Sequence, residues 1–120
     1  MQKFAAIIME CMLCEFQTLY FEEYGYVIRC KKCGLYQLAY LSTLINLTED
    51  GFRQLYKTVA CKYACAEEGV SELAKNILIE TNAENVCIIL SKKETERLFK
   101  MLDEADNEAK AFSLIDMFNP

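Results

Sequence analysis

Histidine and tryptophan are missing from this 120-residue chain, proline occurs once and glycine four times. Without histidine the chain lacks both the usual general base and the commonest nitrogen ligand for a metal. So little proline and glycine leaves no stretch with the composition of a flexible linker, and one domain spanning 1–120 is expected. No apolar run approaches the ~20 residues of a membrane span. The stretch Phe4 to Met9 is shorter than a signal-peptide core, no small-residue cleavage site follows it, and Glu10 before Cys11 argues against a lipoprotein anchor. A cytoplasmic protein without membrane association is therefore expected. A basic surplus is also lacking. The formal charge is −5, and residues 61–120 hold seven basic against twelve acidic side chains, a balance that repels phosphate and disfavours a nucleic-acid partner.

What the chain does have is apolar residues, 53% of the total, enough to build its own core, and seven cysteines. An odd cysteine count with two C-x-x-C pairs fits a metal site better than a disulfide framework. Cys11, Cys14, Cys30 and Cys33 have the spacing C-x₂-C-x₁₅-C-x₂-C of a zinc ribbon. Each C-x-x-C places two thiolates on one tight turn, and a hairpin between the pairs brings the turns together. Gly34 suits a knuckle with an unusual backbone angle. One Zn²⁺ is expected on these four sulfurs, with Arg29, Lys31 and Lys32 offsetting its surplus negative charge. A closed Cys₄ shell leaves no open coordination position, so the site is structural. A rubredoxin-like iron site uses the same donors and stays open as an alternative, although no glycine follows Cys14.

Between the pairs, Thr18 to Phe21 and Tyr26 to Arg29 flank a turn ending at Gly25, which predicts a β-hairpin. Leu35 to Tyr40 and Thr43 to Leu47 predict two more strands. Thr48 is the expected N-cap of a helix with Glu49 and Asp50 in its first turn. Phe52, Leu55, Tyr56, Val59 and Tyr63 form its apolar face, and Glu67-Glu68-Gly69 ends it. Asn76 to Glu80 and Val86 to Leu90 predict a second hairpin. Ser91 and Glu94 form a capping box that opens a helix bearing Leu98, Leu102, Ala105, Ala109 and Phe112. Residues 44–59 align without gaps on 87–102, pairing Leu47 with Leu90, Thr48 with Ser91 and Leu55-Tyr56 with Leu98-Phe99. The expected fold is α+β: a Cys₄ hairpin (10–34) joined to two ββα units (35–66 and 70–120), one antiparallel sheet covered by two helices.

The remaining candidates have plainer readings. Cys61 and Cys65 could form an exposed thiol pair, but packing against another element, or a helix that ends near Val59, is preferred, and Cys87 is expected to be buried. Arg29, Lys31 and Lys32 beside Tyr24, Tyr26, Tyr36 and Tyr40 could bind single-stranded nucleic acid, but charge compensation and core aromatics explain them. The acidic runs at 67–68 and 103–106 read as solvated faces. No nucleophile–base pair and no glycine-rich phosphate loop is present, so a non-catalytic module binding another protein is expected. At the C-terminus, Leu114, Ile115 and Phe118 lie nearly opposite the Leu98–Phe112 stripe at ~100° per residue. Either the helix breaks around Asp106-Asn107 and the tail folds back, or it runs straight; Lys92 to Lys110 contains neither glycine nor proline, so a straight helix that carries this second face to a homodimer interface is expected.

The segments GYVIRCKKCGLYQLAY (25–40), SELAKNILIET (71–81) and MLDEADNEAKAFSLIDMF (101–118), with the C-x₂-C head, resemble a family of short bacterial proteins formed by a domain of unknown function. The resemblance covers nearly all of the chain after Met9. It implies the four cysteines as ligands and no activity, substrate or partner. It also implies a glycine-bearing turn after the strand at 35–40, where this chain has Leu41-Ser42-Thr43, and makes residues 1–9 an extension.

Overall fold

Alternation along the strands sorts side chains into the core. The computed structural model describes residues 15–66 and 73–118. Their elements are β1 (Phe16–Glu22), β2 (Gly25–Cys30), β3 (Tyr36–Tyr40), β4 (Thr43–Leu47), α1 (Glu49–Ala64), β5 (Lys75–Glu80), β6 (Cys87–Ser91) and α2 (Lys92–Phe118). On one face of the first sheet Val27, Tyr36, Leu38, Tyr40, Ile45 and Leu47 are buried, because every second residue of a strand points the same way. Leu38 lies between Val27 on β2 and Ile45 on β4 in the antiparallel register. Gly25 is required here, because a Cβ at that position would lie 2.3 Å from the Ala39 carbonyl oxygen.

The α+β class is as expected, but the strands form two sheets. β1-β2-β3-β4 is a four-stranded meander and β5-β6 is a separate hairpin. The hairpin satisfies its own ladder, and at its tip Asn82 Nδ2 donates to the Asn46 carbonyl of β4 at 3.1 Å. A cavity of ≈140 Å³ lined by Ile45, Leu47, Glu80 and Asn82 separates the two sheets there. The cysteine-bearing hairpin is therefore the outer half of the meander and not an appended head.

The two helices fill the space beside the sheets. α1 buries Phe52, Leu55 and Val59, and α2 buries Leu98, Met101, Leu102, Ala105 and Ala109. Tyr56 and Phe99, equivalent in the internal repeat, meet edge to face with centroids 6.0 Å apart. Tyr56 also donates to Asp103 on α2, and this bond to a carboxylate, with some burial, raises its phenol to about 12. Asp103 thus joins the helices and is not simply solvated. Tyr40 OH donates to the Glu94 carbonyl at 2.6 Å, tying β3 to the start of α2. Leu41, in the turn where the family resemblance implied glycine, takes φ 54° and donates its N–H to the Tyr24 carbonyl at 2.8 Å. That left-handed angle is one that glycine adopts without a Cβ penalty.

α2 has no break at Asp106-Asn107. At 1.5 Å per residue it is about 40 Å long, more than this core can cover. Its last turns emerge with Leu114, Ile115, Met117 and Phe118 all more than half exposed.

Candidate metal centre

The second C-x-x-C forms a knuckle at the end of β2. Cys30 closes the strand and is 1% exposed, whereas Cys33 is exposed. The Gly34 N–H donates to the Cys30 carbonyl at 2.9 Å, and the Cys30 N–H donates to the Leu35 carbonyl at 2.8 Å. Gly34 takes φ 76°, the left-handed angle anticipated from its place after the pair. The turn aims the Cys33 backbone N–H at the Cys30 sulfur, 3.4 Å away.

Those donors affect the thiols. Burial pushes the Cys30 thiol up. The Cys33 N–H, the Cys33 side chain and the N–H groups of Lys32 and Glu15 outweigh that and hold it below the ordinary cysteine range. Cys33 is shifted upward, first by desolvation and then by its neighbour Cys30. N–H groups pointed at sulfur favour the thiolate, which is the form that ligates metal.

The start of β1 lies against this knuckle. Lys31 donates its N–H to the Glu15 carbonyl at 2.7 Å, and Phe16 pairs with Cys30. Cys11 and Cys14 lie outside the described residues, so Cys30 and Cys33 are the expected ligands that the structure brings together. Among the described residues no three His, Cys, Asp or Glu side chains group as metal ligands.

The basic residues at the knuckle have specific partners. Arg29 donates to Gln17 at 2.8 Å and sits 6.0 Å from the Tyr36 ring centroid. Lys31 reaches Asp116 near the end of α2 at 3.8 Å. Tyr36 and Tyr40 are buried, so neither offers a face for a stacked base.

Two cysteine expectations are overturned. Cys87 is exposed because it opens a strand of a two-stranded sheet whose outer face nothing among the described residues covers. Cys61 and Cys65 are also exposed: α1 continues past Val59 to Ala64, with Cys61 on its outer side and Cys65 as its C-cap.

The groove beside the knuckle was not anticipated. It has a volume of ≈450 Å³ and lies between the start of α1 and the end of α2. Tyr36, Phe52, Ala109, Leu114 and Met117 give it apolar walls, and Arg53 and Lys110 stand at its rim. Only the pairing of a sheet with two distant helices creates it; the sequence signal was confined to the second apolar face of α2.

The model of a family of unknown function, DUF6686, matches residues 12–119, which include Cys14, Cys30 and Cys33. No protein of curated function and no solved structure matches the chain.

Proposed function

We propose, from the premise that this chain belongs to the DUF6686 family of unknown function, that it is a zinc-stapled, non-catalytic module that binds another protein. One Zn²⁺ is held by Cys11, Cys14, Cys30 and Cys33. The observation that carries the reading is the knuckle, with the Cys33 N–H 3.4 Å from the Cys30 sulfur and Gly34 at φ 76°. The Glu15–Lys31 bond adds to it, because Glu15 is the residue after Cys14 and its carbonyl is tied to the second pair. Four thiolates complete a tetrahedral shell and exclude substrate from the ion, so its role is to hold two turns together. Thiolates stay available to metal in a reducing compartment, so the proposal includes a cytoplasmic location. The binding role is supported by apolar surface beyond what the core uses, including the cluster Leu114, Ile115, Met117 and Phe118 at the end of α2.

Elemental analysis of protein purified without chelators tests the metal. The expected result is one zinc per chain in a colourless solution, reduced to a small fraction in Cys30→Ser. A coloured, iron-loaded protein favours the rubredoxin-like alternative, and a metal-free protein overturns both.

A further inference from the structure

We infer that the partner of the groove beside the knuckle is a second copy of this chain, bound about a two-fold axis near Leu114 with the ends of the two α2 helices antiparallel. The inference rests on the reading of the chain as a binding module and gives that module its partner.

The first argument is the arrangement of the surface. Leu114 and Met117 line the groove, while Leu114, Ile115, Met117 and Phe118 also form the projecting end of α2. A cavity and the knob that could fill a copy of it are thus adjacent on one protomer. A two-fold axis lets each protomer use both at once, so each contact is made twice. In an antiparallel pair centred on residue 114, position 118 of one helix lies opposite position 110 of the other. Phe118 then comes over the mouth of the partner's groove, where Leu114 and Met117 present exposed apolar side chains.

The second argument is charge. The last turn of α2 holds no basic residue, and Asp116 there already has Lys31 of its own protomer at 3.8 Å, so what attracts a further cation is the partial negative charge of the helix end itself. The same antiparallel register brings the partner's Lys110 to that end. The Lys110 side chain is 70% exposed and its ion pair with Asp106 lies along its own helix, so the ammonium is accessible to a second acceptor.

The third argument is size. Four apolar side chains at least half exposed make a patch on the order of 500 Å², at the upper end of what a monomer leaves in water. A patch of that size supplies the larger part of the ~800 Å² per partner of a standard interface.

The experiment is light scattering on the full chain at high micromolar concentration, with metal content measured on the same samples. The expected mass is that of two 13.8 kDa chains. Leu114→Glu/Phe118→Glu should weaken association roughly a hundredfold or more and leave a monomer. Both side chains are exposed in the protomer, so its circular dichroism should be unchanged. Lys110→Glu should weaken the dimer roughly tenfold. A wild-type monomer, or a double variant that stays dimeric, overturns the inference. A dimer indifferent to Lys110→Glu rejects the antiparallel arrangement. A dimer without metal overturns the zinc reading alone, and a zinc-loaded monomer overturns this inference alone.

Discussion

The two strand–cap–helix units use the same local grammar in different surroundings. In the first, Thr48 accepts the Gly51 N–H at 3.0 Å at an exposed site, and the helix it opens is 16 residues long. In the second, Ser91 accepts the Glu94 N–H at 3.1 Å while Glu94 Oε1 accepts the Ser91 N–H at 2.9 Å, closing the box in both directions. That box is built into the interior. Ser91 and Thr95 are buried, Thr95 donates to the Ser91 carbonyl at 2.8 Å, and Tyr40 bonds the Glu94 carbonyl. The same motif is a surface detail in one unit and a junction between sheet and helix in the other. A cap gains weight when water cannot replace its hydrogen bonds. The sheets differ in the opposite sense. The first unit is widened to four strands by the cysteine hairpin, while the second keeps a bare two-stranded hairpin.

The largest test of this contrast is Cys30→Ser. Structural zinc sites in peptides contribute on the order of 10 kcal/mol of apparent binding energy. Leu19 of β1 and Val27 of β2 are core residues, so loss of the metal should not stay local. Urea unfolding of Cys30→Ser should show the whole molecule weakened by several kcal/mol. A variant that loses its metal yet keeps the wild-type midpoint would show that the hairpin is only an appendage.

The caps give a smaller effect and compare the units directly. Ser91→Ala should destabilise by about 1–2 kcal/mol and Thr48→Ala by about 0.5 kcal/mol, the two ends of the range for N-caps. Equal shifts in denaturation midpoint would remove the distinction between a buried and an exposed cap.

The smallest effect is pH-dependent. The Ser91 N–H, with help from Lys75 and against partial desolvation, holds the Glu94 carboxyl below its ordinary range. The folded pKa therefore lies under the unfolded value of about 4.3. The resulting stabilisation is complete above that value and is lost as pH falls through the folded pKa. Glu94→Gln keeps an acceptor for the Ser91 N–H but not the charge. It should be less stable than wild type by up to about 1 kcal/mol at neutral pH, with the gap closing in acid. A gap that persists at low pH would assign the effect to packing instead of charge.

What the sequence determined by itself was local. Strand and helix positions, both caps and the knuckle glycine follow from residue type and short spacing, because turn chemistry, capping and amphipathic period act within a few residues. Thr48, Ser91, Gly34 and the buried stripe from Leu98 to Ala109 were legible for that reason. Tertiary structure decided the rest. Cys61, Cys65 and Cys87 look like small core residues, yet all three are exposed, because burial depends on whether another element arrives over them. The alternating apolar residues of six strands are compatible with one sheet or two. The division was made between β4 and β5, where a hairpin that satisfies its own backbone needs no ladder to a neighbour. The groove between α1 and α2 has no sequence signature beyond the second apolar face of α2, since Tyr36, Phe52 and Ala109 come from three distant segments and meet only because each buries an apolar face against the others.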